Sequence, residues 1–164
     1  MKRKWLGMVL AGAMAVGSLA GAPAHAADHA HEHAHADTTQ MLVLNNGEKW
    51  ASDQALRDSM TKIRESIGAN LPAIHDAKQT APYEALGREI EAQVANIVQN
   101  CKLEPAADEV LHAILAEMIQ GNEALQGKDP QVERIDGVKR VMRSLELYAD
   151  HFQHPGFEAP HVAH

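Results

Sequence analysis

Leu56-Arg57-Asp58-Ser59-Met60-Thr61-Lys62-Ile63-Arg64-Glu65-Ser66-Ile67-Gly68-Ala69-Asn70-Leu71-Pro72-Ala73-Ile74 is the stretch that decides the fold class. Its large apolar side chains, Leu56, Met60, Ile63, Ile67, Leu71 and Ile74, recur at steps of 4, 3, 4, 4 and 3. That spacing follows a 3.6-residue period and lays one stripe along a helix; a strand of period two would scatter it over both faces. A helix is therefore predicted here, capped by Ser52, with Asp53 in the first turn where its charge favours the helix dipole. Pro72 falls inside the stripe and is expected to kink the helix rather than end it.

Three further stripes follow. The chain turns around Gln79-Thr80-Ala81-Pro82, and Tyr83, Leu86, Ile90, Val94, Ile97, Val98 and Cys101 form the inner face of a second helix. Cys101-Lys102-Leu103-Glu104-Pro105 is the next break, with Pro105 suited to a first helical position. The third helix carries Val110, Leu111, Ile114, Leu115, Met118, Ile119 and Leu125 inward, and Gly127-Lys128-Asp129-Pro130 closes it. A fourth carries Val132, Ile135, Val138, Val141, Met142, Leu145, Tyr148 and Phe152, stopping before His154-Pro155-Gly156. No strand run competes, so the expected fold is all-α: an antiparallel up-down-up-down four-helix bundle over residues 41–157. Ahead of it, Met41 to Leu44 is a short apolar strip and Asn45-Asn46-Gly47 a turn signal.

The ends of the chain read differently. Lys2, Arg3 and Lys4 precede an apolar run from Trp5 to Ala20, and Ala24-His25-Ala26 puts small residues at the −3 and −1 positions of a cut. Residues 1–26 therefore read as a signal peptide. A retained anchor is the rival, but the run is short for a span and is interrupted by glycines and followed by Pro23. Residues 27–40 are Ala, His, Asp and Thr with almost nothing to bury, and are expected to be a disordered leader. Residues 158–164 are read as a flexible tail.

Export directs the chain to the periplasm. Three of its 15 Lys and Arg lie in the signal and none of its 22 Asp and Glu do, leaving the mature chain at a formal charge of about −10. A basic face for phosphate is missing, so nucleic acid is excluded as a partner and cations are the natural counterpart. After cleavage no segment has the length or apolarity for a membrane. Cys101 is the lone cysteine, so no internal disulfide staples the fold; in an oxidising compartment it is buried, holds a metal, or pairs between chains.

His29, His31, His33 and His35 alternate with small or acidic residues in the leader, and such a pattern has no packing rationale. Neutral imidazole is the commonest side-chain ligand for late transition metals, so the leader reads as a metal-binding tail. Cleavage after Ala26 would start the mature chain Ala27-Asp28-His29. Its amine, two backbone nitrogens and an imidazole suit square-planar Cu(II) foremost, or Ni(II), with Zn(II) a further candidate for the histidines. A solvated leader without a task is the bland alternative.

In an antiparallel bundle Trp50, Met60, Cys101, His112, His151 and His154 share one pole with the root of the leader. Met60, Cys101, His112, His151 and His154 thus form a candidate ordered site of thioether, thiolate and imidazole, suited to copper or a haem iron. Each also has a plain reading: Met60 as core packing, Cys101 as a small buried hydrophobe, His112 as a hydrogen-bonded boundary residue, and His151 and His154 as exposed histidines at a frayed end. Enzyme signatures are missing: no phosphate loop, no zinc-protease His pair, no nucleophile elbow. Glu89 and Glu117 lack the Glu-x-x-His partners of a di-iron bundle, so no enzyme is expected. Without Cys-x-x-Cys-His, covalent c-type haem is excluded.

Leu44-Asn45-Asn46-Gly47-Glu48-Lys49-Trp50-Ala51-Ser52-Asp53, Val98-Gln99-Asn100-Cys101-Lys102-Leu103 and His151-Phe152-Gln153-His154-Pro155-Gly156-Phe157 together resemble a family of small exported bacterial helical proteins, often with a His-rich leader and with no settled activity. In plan the chain is also similar to four-helix periplasmic b-type cytochromes. That likeness implies a non-covalent haem b between Met60, in Leu56-Arg57-Asp58-Ser59-Met60, and His151, in Tyr148-Ala149-Asp150-His151. Three functions follow as expectations: copper, nickel or zinc sequestration or delivery; electron transfer through haem held by Met60 and His151; or a non-catalytic module that binds a protein partner, or a second copy, at the Trp50 pole.

Overall fold

The computed structural model describes residues 41–76 and 81–160, all within one unit, His35–His164. The signal peptide, the leader with Ala27, Asp28, His29, His31, His33 and His35, and residues 161–164 lie outside the described residues. What is described is all-α: α1 (Gln54–His75), α2 (Tyr83–Asn100), α3 (Pro105–Leu125) and α4 (Arg134–His151). Among the described residues there is no strand, only the isolated bridges Asn45↔Glu48 and Trp50↔Phe152. No described helix is long and apolar enough to cross a membrane.

Local chemistry accounts for the boundaries. Asp53, not Ser52, caps α1: its Oδ1 accepts from Leu56 N at 2.8 Å. Ser52 instead donates its hydroxyl to Gln153 O, a partner a hundred residues away that no local pattern announces. The helix runs through Pro72 to His75, and Asp76 N closes on Pro72 O at 3.1 Å. Pro105 occupies the first turn of α3, where its missing N–H is harmless. At the other end of α3, Gly127 has φ +76°. Gly127 N bonds Ala124 O at 2.8 Å and Lys128 N bonds Glu123 O at 2.9 Å, the paired bonds of a Schellman stop. Before α1, Asn46 (φ 52°) and Gly47 (φ 89°) make a tight turn closed by reciprocal Asn45–Glu48 bonds of 2.8 and 2.9 Å.

The inner stripes meet in one core. Leu56, Met60, Ile63 and Ile67 of α1 are fully buried against Leu86, Ile90 and Ile97 of α2, Ile114, Met118 and Leu125 of α3, and Val138, Val141, Leu145 and Tyr148 of α4. Two expected inward residues face out: Val98 is 71% and Ile119 43% exposed. Their neighbours Ile97 and Met118 already fill the stripe, so the widened apolar arc runs onto the surface.

α3 packs most closely on α4, and glycine makes the contact possible. A Cβ at Gly137 would stand against Leu125 N and 2.7 Å from Gly121 O; one at Gly121 would lie 2.9 Å from Val141 N and 3.0 Å from Gly137 O. The two backbones touch with no side chain between them. Gly68, in α1, has nothing within 4 Å of its missing Cβ. Urea unfolding should therefore separate the two: Gly137→Ala loses about 1–3 kcal/mol through overpacking, whereas Gly68→Ala gains about 0.5–1 kcal/mol from helix propensity.

Candidate functional site

The three segments that carry the family resemblance are tied together at one place. Trp50, 7% exposed, donates its indole Nε1 to Val43 O at 2.7 Å. Its backbone N donates to His151 O at 2.7 Å, and Gln153 N donates to Trp50 O at 2.8 Å. Lys49 Nζ reaches Ala149 O at 2.5 Å, and Gln153 Nε2 reaches Lys49 O at 3.0 Å. Asp53 adds the third segment: while Oδ1 caps α1, Oδ2 accepts from Lys102 N at 2.6 Å, just beyond the end of α2. Arg57 donates to Ser52 O and lies 3.2 Å from Ser52 Oγ.

Beside this seam an aromatic cluster closes the chain. Tyr148 stacks on Phe152 with centroids 5.5 Å apart and meets Phe157 edge-on at 5.2 Å. His154 stacks on Phe157 at 4.7 Å, and the Arg64 guanidinium lies over the Phe157 ring at 5.9 Å. Tyr148 Oη and His154 Nδ1 are 2.9 Å apart. Burial drives the Tyr148 phenol well above its usual range, so it keeps its proton and donates. His154 is held below the usual imidazole range, first by burial and then by the charges of Arg57 and Arg64, with Asp58 opposing. It is therefore neutral, with Nδ1 engaged by the Tyr148 hydroxyl. Lys49, Gln153, His154 and Phe157 help line a cleft of about 350 Å³ here.

The same accounting decides what each expected ligand can do. His154 has Nδ1 taken by Tyr148, so that nitrogen is open to a metal only if this bond breaks. His151 donates Nδ1 to Leu147 O at 2.7 Å and His112 donates Nδ1 to Asp108 O at 2.8 Å, so both keep an Nε2 lone pair. His112, however, is 71% exposed along its side chain and bonds only within its own helix, beside the Asp108 carboxylate at 3.4 Å. Cys101 is a free thiol pushed up to about 12, mainly by burial and then by the Asp53 carboxylate. It stays protonated at neutral pH, and a thiol is a poor metal ligand.

Among the described residues, no group of three or more His, Cys, Asp or Glu is arranged to hold a metal ion. Cys101, His112 and His154, expected to share a site with Met60 and His151, are therefore not among any such group of described residues. Met60 is wholly buried in the apolar core and lines neither the cleft above nor its neighbour at Glu146, Ala149 and Asp150. A haem between Met60 and His151 would need that core to open, so these residues do not fit the group. No family model matches the chain, and neither a curated protein nor a solved structure matches it.

Two residues of the seam have roles that their local sequence does not announce. Tyr148 was legible as core but not as the partner of His154, and Asp53 as a dipole residue but not as a tie between helices. The one available signal was that Asp53 has two carboxylate oxygens, and a cap uses one.

A group held neutral in the folded state binds its proton more readily once unfolded, so stability from His154 is full above about pH 6.5 and drains as pH falls below it. Urea midpoints at pH 7.5 and pH 5 should show that loss in the native chain and a smaller one in His154→Gln.

Proposed function

We propose that the chain is an exported, periplasmic metal-binding protein that captures Cu(II) foremost, and Ni(II) or Zn(II) in its place, through the histidines of its leader, for sequestration or delivery. The alternation His29, His31, His33, His35 carries the reading: four imidazoles within seven residues put several ligands for one ion on a segment with almost nothing else to bury. The acidic balance of the mature chain supports it by concentrating cations near the surface. Cleavage after Ala26 would add the Ala27 amine and the Asp28 backbone to His29 as a square-planar set.

In this reading the folded part is a scaffold, its helices running up-down-up-down. Four contacts support that path: Asp53 to Lys102 across α1 and α2, Asn122 Nδ2 to Gly87 O across α2 and α3, the Gly121–Gly137 approach across α3 and α4, and Trp50 to His151 between the start of α1 and the end of α4. The leader joins this scaffold at Met41, two residues before the Val43 carbonyl that holds Trp50. Likeness to the small exported helical proteins agrees with such a role, and no catalysis is assigned.

Titration calorimetry with Cu(II), Ni(II) and Zn(II) tests it. Replacing His29, His31, His33 and His35 together by Ala should remove the tightest Cu(II) site while leaving the helical circular dichroism unchanged. Binding by the native chain should weaken as pH drops below about 6.5, since protons compete for the imidazoles. Equal affinity in the two chains would end the proposal.

A further inference from the structure

On another face of the bundle, α2 and α3 part to leave a cleft of about 350 Å³, within the size range of small-molecule sites. It is lined by Val94, Ala95, Val98 and Gln99 from α2 with Ile119 and Asn122 from α3, together with the carboxylates Glu91 and Glu123. Val98 and Ile119 are the two apolar side chains that the helical stripes left on the surface. Taken alone that is only an apolar groove.

Asn122 makes it more. It is 3% exposed, and its Nδ2 donates to Gly87 O at 3.1 Å. A carbonyl only accepts, so this bond fixes which way the amide lies. Its Oδ1 is then left buried with no hydrogen-bond partner. Buried polar atoms in folded proteins are almost always satisfied, and an orphan in the wall of a cleft asks for a donor from a bound molecule. The carboxylates supply the sign of the charge. Glu91 is held below its usual range by Lys128 at 2.8 Å and Gln126 at 3.0 Å, whereas Glu123 has no ion-pair partner among the described residues.

We propose that this cleft binds a small organic cation with an apolar body, an alkyl or arylalkyl primary amine. The ammonium donates to Asn122 Oδ1 and faces the Glu123 carboxylate, and the hydrocarbon covers Val98 and Ile119. An ammonium has three donors and no acceptor, which matches the Asn122 oxygen and the Glu123 carboxylate. A second copy of the chain is disfavoured, because a two-fold contact would bring the acidic residues together.

The test compares octylammonium, octanol and octanoate against the full chain by calorimetry, with amide shifts followed by NMR. Octylammonium should bind with shifts centred on Val94, Val98, Ile119 and Asn122, octanol about tenfold more weakly, and octanoate not measurably. Ala95→Trp, at an exposed position, should fill the cleft and abolish binding with the helical signal intact. Asn122→Leu should narrow the gap between octylammonium and octanol. Equal binding of octanoate, undiminished binding in Ala95→Trp, shifts centred elsewhere, or no binding of any of the three would overturn the proposal. So would self-association in sedimentation that Val98→Asp abolishes, since the face would then belong to a second copy.

Discussion

The backbone contact of α3 with α4 at Gly121 and Gly137 sets the geometry that the other elements inherit. A helix pair separated by ordinary side chains keeps its axes about 8–10 Å apart. Here neither glycine leaves room for even a methyl group on the other's surface. α3 is thereby committed to α4 over its small-residue face, with Ala124 and Gly121 buried there. Its approach to α2 is correspondingly looser, mediated by the Asn122–Gly87 bond and bordered by Ile119 and Val98. Tight packing on one side of α3 and an open cleft on the other are two consequences of one choice of residues.

A second constraint operates at the end of the molecule where α1 begins. Asp53 uses both carboxylate oxygens, one on its own helix and one on the turn after α2. Charge-assisted bonds of this kind are stronger than neutral ones, and their geometry ties the two helices in register. Trp50 does the same for α4, exchanging backbone bonds with the stretch that follows it while its ring sits in the core. The last turn of the chain then folds back as Phe152, His154 and Phe157 close around Tyr148. Segments far apart in sequence, each at or beyond a helix end, are thus explained by each other.

Helix existence and the buried stripes were legible in the sequence because burial imposes a 3.6-residue period that survives in the residue order. Pro105 and Gly127 were legible for a similar reason: each has a backbone property that only one end of a helix uses. Val98 and Ile119 were not, since periodicity reveals that a residue borders an apolar arc but not where the neighbouring helix stops covering it. The cap was misassigned between two adjacent cap-competent residues. Ser52 and Asp53 are equivalent locally, and the choice is made by Gln153 O and Lys102 N, both distant in the chain. Gly121 and Gly137 carried a signal that went unread: glycine in a helix interior costs about 1 kcal/mol relative to Ala, so two of them demand a packing reason.

The candidate ligands show why site chemistry is harder to read than fold. A histidine in a sequence is only a ring; which nitrogen has a lone pair depends on the bond its neighbour makes. His112 and His151 give their Nδ1 protons to their own helices, four residues back, and retain Nε2. His154 has its Nδ1 engaged by the Tyr148 hydroxyl. Cys101 is kept as a thiol by the same Asp53 that joins α1 to α2, so the carboxylate that secures the fold also disfavours a thiolate there. Metal capture through His154 Nδ1 would have to break its bond to Tyr148, and capture by Cys101 would set a thiolate beside the Asp53 carboxylate, each at the expense of stability.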